Sequence, residues 1–204
     1  MPTQRKDPRA VRTQSLLKRA FIELMEEKEF EQITVADISE RATVKRATFY
    51  LHYKDKTDLM NQCIEEILND LHEKVSKQVS FLGDFDFLED QPHPSFVQLF
   101  HQIGENYPFY RALLVTNRIP SLTSGLLAFI HEFISEGINQ IEPNDQNLTA
   151  NRELIIKYVE SAFLEVIIWW IEKGMHVSEK EIAFQLMNLS LKGPYNHNPI
   201  KDRS

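Results

Sequence analysis

Glycine is scarce, with six residues among 204. No GxGxxG, GxxxxGK[ST] or GxSxG pattern is present, so nucleotide-dependent and α/β-hydrolase chemistry lose their usual sequence support. Cysteine is scarcer still. Cys63 stands alone and cannot form an internal disulfide. The stretch from Met1 to Pro8 lacks the apolar run of a signal peptide, so a cytoplasmic location is expected. Long hydrophobic runs are missing as well: the most apolar stretch, Ala162 to Ile171, is interrupted by Glu165 and bounded by Glu160 and Glu172. A membrane span needs roughly 18 uninterrupted apolar residues, so no membrane partner is expected.

What is present is ordinary globular composition, 42% apolar and 26% charged, which excludes extensive disorder. The net charge of −7 is unevenly spread. Residues 1–60 hold 12 Lys and Arg against 10 Asp and Glu, while residues 61–204 hold 11 against 20. Within the first 20 residues, Arg5, Lys6, Arg9, Arg12, Lys18 and Arg19 face only Asp7. A basic front joined to an acidic body predicts that the front meets a polyanion.

Helical periodicity runs through the chain. Asp7-Pro8 reads as a capped helix start, and Leu17, Phe21, Leu24 and Met25 predict a helix from about Arg9 to Lys28. Thr34-x-x-Asp37 resembles a capping box opening a short helix, followed by Lys45 to Tyr53 and by a long helix after Asp55. Three helices of these proportions, with a tight turn between the last two, outline a helix-turn-helix unit. Phe81 to Pro94 reads as a loop. Helices then follow at Phe96 to Ile103, Phe109 to Val115, Ser121 to Ile141, Asn151 to Lys173 and Ser178 to Lys192, before a tail expected to be mobile.

The run Ile33-Thr34-Val35-Ala36-Asp37-Ile38, continued by Ala42-Thr43-Val44-Lys45-Arg46-Ala47-Thr48-Phe49-Tyr50-Leu51-His52-Tyr53-Lys54-Asp55-Lys56-Thr57-Asp58-Leu59, resembles the DNA-binding domain of the tetracycline-repressor (TetR/AcrR-like) family. That resemblance covers about residues 9 to 58. It implies an all-α protein: a helix-turn-helix DNA-binding domain at 1–55, a larger helical effector-binding and dimerisation domain at 56–192, and a tail at 193–204. Tyr107 to Leu114 is also similar to the C-terminal domains of a subgroup that includes a regulator of dihydroxyacetone kinase genes. The family usually carries glycine where this chain has Glu29 and Thr43. A β-branched residue in a left-handed conformation costs ~1–2 kcal/mol, so a differently shaped turn is expected at Thr43.

The resemblance implies double-stranded DNA as partner. Positions matching Lys45, Arg46, Ala47, Tyr50 and Leu51 face base edges. Those matching Thr48, His52 and Lys56 approach phosphates, as do Arg9 and Arg12, and Thr34 completes the DNA-binding set. Arg46 is the best base reader, because a guanidinium fork can bond guanine O6 and N7 together. Phe49 is expected in the core.

The seven histidines include no pair at i, i+4, and neither a metal nor a cofactor is expected. Cys63 lies on an apolar stripe and reads as a buried, inert thiol. No spacing of acidic residues singles out a catalytic pair, so the protein is not expected to be an enzyme. Phe100, Tyr107, Phe129, Phe133, Tyr158, Phe163 and Trp170 are candidate walls of an effector cavity, with Arg111, Asn117, Arg118 and His131 as polar partners. Apolar residues wrap most of the helix from Leu154 to Ile171. A two-fold homodimer through Leu154, Val159, Val166, Ile182, Leu186 and Leu189 is therefore expected. The resulting expectation is a repressor that binds a palindromic operator as a dimer and is released by a small apolar ligand. The alternatives are an activator or co-regulator of the same fold acting through a protein partner, and a helical ligand carrier.

Overall fold

The computed structural model describes residues 7–79 and 91–194. Most of the expected loop before Pro94 and of the expected tail after Gly193 therefore lies outside the described residues. Helices α1 (Pro8–Glu27), α2 (Val35–Arg41), α3 (Arg46–Tyr50), α4 (Lys56–Val79), α5 (Pro94–Glu105), α6 (Tyr107–Tyr110), α7 (Pro120–Ile141), α8 (Arg152–Glu172) and α9 (Glu179–Lys192) follow in order. No strand occurs among the described residues.

Several starts are dictated by local chemistry. Asp7 Oδ1 accepts from Arg9 N–H at 2.9 Å, with Pro8 in the first turn where no N–H is needed. The capping box at Thr34 and Asp37 is formed: Thr34 Oγ1 accepts from Asp37 N–H at 3.2 Å, and Asp37 Oδ2 from Thr34 N–H at 2.8 Å. These bonds from Thr34, with Lys28 nearby, hold the Asp37 carboxyl below its ordinary range. Asn151 and Ser178 cap α8 and α9 in the same way.

The described chain separates into two compact units. The first comprises residues up to Ile67 together with Tyr107–Thr123, and the second Leu68–Asn106 with Ser124 onward. The boundary expected from sequence fell at 55 and 56. Instead α4 contributes its buried Leu59, Met60, Cys63 and Ile64 to the first unit.

In the first unit α1 buries Leu17, Ala20, Phe21, Leu24 and Met25. Asn117 closes its C-terminal end. The Asn117 Oδ1 accepts from Phe30 N–H at 2.7 Å, while Nδ2 donates to Met25 C=O at 2.7 Å and Ala112 C=O at 3.0 Å. Arg111, in a π-helical turn from Arg111 to Thr116, pairs with Glu26 at 3.4 Å.

In the second unit α5 packs against α9. The Phe100 ring meets Trp170 edge-on at 5.3 Å, and the Trp170 indole N–H donates to Val177 C=O at 2.8 Å. Glu160 is a buried carboxylate joining α7 to α8: His131 Nδ1 and Lys157 Nζ each lie 2.7 Å from its oxygens. Burial alone would raise its pKa, but these two partners outweigh that and hold it below the usual carboxylate range.

Candidate nucleic-acid interface

The helix-turn-helix is built around one left-handed residue. Thr43 has φ +57°, so the turn keeps the conformation for which the family uses glycine, and the expectation of a different shape is corrected. The reason lies in the bonds on either side. Thr43 N–H reaches Glu40 C=O at 3.0 Å and Val44 N–H reaches Ser39 C=O at 2.9 Å, closing α2 and fixing where α3 begins. Glu29 needs no glycine because its backbone is extended, φ −65° and ψ 147°.

Helix α3 is shorter than expected, with Lys45 as its N-cap residue and Leu51 as its C-cap. Phe49 is fully buried and packs on the buried Tyr53 ring at 5.6 Å. Burial also pushes the Tyr53 hydroxyl well above its ordinary pKa, keeping it neutral. This anchoring turns the remaining side chains outward. Lys45, Arg46, Ala47, Tyr50 and Leu51 are exposed, and Thr48 and His52 are half-buried beside them. Leu51 is 81% exposed, far beyond what a packing residue tolerates.

Charge pairing sorts the cations of the first unit into two groups. Arg41 makes a bidentate pair with Glu27 at 2.8 and 2.7 Å, Lys28 meets Asp37 at 3.2 Å, Arg19 meets Glu23 at 3.6 Å, and Lys18 pairs with Glu66. Arg9 and Arg12 on α1, with Lys45 and Arg46 at α3, are exposed and pair with no carboxylate among the described residues. The exposed Lys54 and Arg118 make no ion pair among the described residues either, so the absence of a carboxylate partner does not by itself single out the four.

Lys56 is the exception, and the expectation that it contacts phosphate is corrected in form. Its ammonium donates to the C=O groups of Phe30 at 2.7 Å, Glu31 at 3.1 Å and Ile33 at 2.8 Å, and it lies 4.5 Å from the centre of the Phe30 ring. All three N–H donors are engaged, so Lys56 clamps the turn before α2. Thr34 is exposed at the head of α2, but its hydroxyl also donates to Asp37 Oδ2 at 2.9 Å. Asn117 and Arg111, expected as ligand partners, instead tie the first unit together, a role with no periodic or motif signal in sequence.

Cys63 is buried and its thiol is pushed up to about 12 by that burial, consistent with an inert side chain.

The seven aromatics expected around one cavity are not brought together. Phe100 packs on Trp170 and Phe133 packs on Phe129 and Phe163 as two separate buried groups, Tyr107 belongs to the first unit, and Tyr158 is 75% exposed. A cavity of about 90 Å³ in the second unit touches only Phe133 of that set, and a smaller one of about 20 Å³ touches Phe129 and Phe133. The expected dimer residues also divide. Leu154 and Leu189 are exposed and Val166 is half-buried, but Val159 on α8 is buried at the cavity wall, and Ile182 and Leu186 are buried within their own chain because α9 packs on α5.

This fold, with its outward-facing recognition helix, is that of a DNA-binding regulator. A family model for bacterial regulatory proteins of the tetR family matches residues 16–63, and one for a transcriptional regulator C-terminal region matches residues 90–192. The chain belongs to the tetR family of transcriptional regulators, a family of DNA-binding proteins rather than enzymes.

It is 40% identical over 60 residues to the uncharacterized HTH-type transcriptional regulator YxbF of Bacillus subtilis (strain 168), covering 29% of this chain and 16% of YxbF. It is 26% identical over 110 residues to the HTH-type dhaKLM operon transcriptional activator DhaS of Lactococcus lactis subsp. lactis (strain IL1403), 54% of this chain and 53% of DhaS. The chain therefore spans about half or less of the length of these curated relatives. A solved structure of the fatty acid degradation regulator FadR from Bacillus halodurans superposes with a TM-score of 0.65 at 18% identity, covering 96% of this chain and all of that one. At that identity the likeness is one of fold.

Proposed function

We propose that the protein is a repressor that binds a near-palindromic operator as a two-fold homodimer and is released when a small apolar molecule occupies its second unit. The observation that carries the DNA half of this reading is the recognition helix. Arg46 and Lys45 are exposed and without an ion pair among the described residues, beside exposed Tyr50 and Leu51, and Phe49 locks the helix from beneath. An unpaired guanidinium on such a helix fits bidentate base reading.

Dimerisation is supported by the outward strip of α8, where Leu154 is 62%, Tyr158 75% and Trp169 42% exposed, with Leu189 on α9 at 51%. Leu154 and Tyr158 lie one turn apart and Trp169 three turns further on the same face, and exposed large apolar side chains so aligned favour a second copy over water.

Selection of bound sequences from a random DNA pool, followed by titration at several salt concentrations, tests the reading. A two-fold-symmetric motif with half-sites about 34–36 Å apart, or a small multiple of that, is expected. Uniform, purely salt-driven binding to all sequences refutes it. One observation favours a second reading, an activator: the similarity to DhaS, a protein named as an operon activator. Transcription from an operator-bearing template with purified polymerase separates the two by the sign of the effect.

A further inference from the structure

Glycine weakens a helix interior, so each helical glycine calls for a cause. At Gly104 and Gly125 the cause is close approach, since an added Cβ would lie 2.5 Å from Glu179 Oε1 and 2.3 Å from Leu68 Cδ1 respectively. Gly137, inside α7, has no such cause among the described residues: its φ is not positive and none of their atoms lies within 4 Å of where a Cβ would sit. What it borders is the cavity of about 90 Å³ in the second unit.

The walls of this cavity are almost wholly apolar, formed by Phe96, Ile134, Ile138, Ile155 and Val159 among others. The two hydroxyls present are already engaged. Ser95 Oγ lies 2.7 Å from His93 Nδ1, and Ser190 Oγ donates to Leu186 C=O at 2.9 Å. Among the described residues no ionisable side chain lines the space. Ile141 and Leu191, 44% and 43% exposed, stand on its solvent side.

Walls of this kind offer water few hydrogen-bonding partners, so water is a poor occupant. Its size also discriminates between apolar guests. A cavity of about 150 Å³ is known to take a benzene ring whole, whereas the present one is little over half that and opens to solvent beside Ile141 and Leu191, so a chain can insert its last few methylenes and leave the rest outside, which a rigid ring cannot do.

We propose that this cavity binds a short unbranched alkyl chain, the tail of an amphiphile whose polar end stays in solvent beside Ile141 and Leu191. The proposal rests on the reading that a small apolar molecule acts on the second unit, and it names both the site and the chemical class. Gly137 is then the residue that keeps the space open.

The test uses the full chain with n-hexanol, n-hexanoate and benzene as probes, read by thermal melting and calorimetric titration. The two chain probes, at about ten times Kd, are expected to raise Tm by about 3–6 °C, and benzene is not. Gly137→Ala, which adds one methyl group, should retain the response. Gly137→Leu should fill the cavity and abolish it.

Failure of both chain probes to bind overturns the proposal, as does an equal shift in Gly137→Leu or a benzene response matching that of hexanol. Should Gly137→Leu not fold, the comparison of hexanol with benzene in the parent and in Gly137→Ala decides. Operator binding measured in parallel keeps the two readings apart. Chain binding that leaves operator affinity unchanged supports the site and refutes the effector reading, whereas probe-dependent operator release without any chain-induced melting shift overturns the site.

Discussion

Replacing Thr43 by glycine should stabilise the protein, against the general rule that substitutions destabilise. Thr43 holds φ +57°, a conformation that puts a β-branched side chain against its own backbone at a cost of ~1–2 kcal/mol. Glycine removes that cost but carries ~0.5–1 kcal/mol of extra chain entropy in the unfolded state. The side chain is exposed and makes no hydrogen bond among the described residues, so nothing else is lost. The difference spans roughly 0–1.5 kcal/mol in favour of Thr43→Gly, centred near ~0.8 kcal/mol, or a rise of about 2–3 °C in Tm at the centre for a chain of this length. Thr43→Asn should fall between parent and glycine, and Thr43→Val should match or fall below the parent.

The companion substitution Glu29→Gly provides the control. It also restores the family's glycine, but at φ −65° glycine has no conformational advantage, so stability should drop by ~0.5–1 kcal/mol. Urea and thermal melts of the four variants, followed by circular dichroism, check the ordering. A destabilised Thr43→Gly would refute the reasoning, because the turn would then owe its shape to the threonine side chain.

Further outcomes are expected at the interface and in the second unit. Arg46→Ala should cost ~1–3 kcal/mol per bidentate contact and relax preference at one base position in each half-site, while Arg9→Ala should weaken all DNA alike and lower the salt slope by about one; titration on operator and scrambled duplexes checks both. Lys56→Met should lower Tm as well as DNA affinity, since the carbonyls of Phe30 and Ile33 lose their donor at ~1–3 kcal/mol, and melts without DNA show this directly. The folded-state pKa of Glu160 lies below its ordinary value of about 4.5, so its partners contribute stability above that pH, lost as pH falls through the depressed value. Melts from pH 6 to 3 should therefore show the parent losing its advantage over Glu160→Gln across that range.

The recognition helix was legible because it breaks the rule that binds every other helix. From Lys45 to Lys54 the sequence shows one clear packing anchor, Phe49, and a surplus of polar donors; the structure buries Tyr53 as a second anchor, exposes Lys45, Arg46 and Tyr50, and half-buries Thr48 and His52. Lys56 was misread because a lysine beside a DNA-binding helix satisfies phosphate and carbonyl equally well, and only the folded turn brings Phe30, Glu31 and Ile33 within reach of its ammonium. The dimer face was half legible. Helix α8 is apolar all round, but spacing alone does not say that Val159 lines a cavity within its own chain while Tyr158 stands in solvent. The cavity was missed for a similar reason. Large rings suggested walls, yet rings such as Phe100 and Trp170 pack efficiently on each other, and the void lies where branched aliphatic residues meet a helical glycine. Thr43 shows the limit from the other side: intrinsic preference predicts a changed turn, and the closing bonds of α2 override it.

Asn117 has a consequence for anyone cutting and joining these proteins. The segment Tyr107–Thr123 is part of the stretch matched by the C-terminal family model, yet it packs as part of the first unit, where one amide side chain satisfies both the end of α1 and the Phe30 turn. A headpiece excised near residue 63 would leave Phe30 N–H and Met25 C=O without this partner. A chimera that grafts a foreign regulatory region onto this head would face the same mismatch unless it carried residues 107–123 along. The exchangeable module is therefore discontinuous in sequence, and its seams lie at residues 67, 107 and 123 rather than at a single linker.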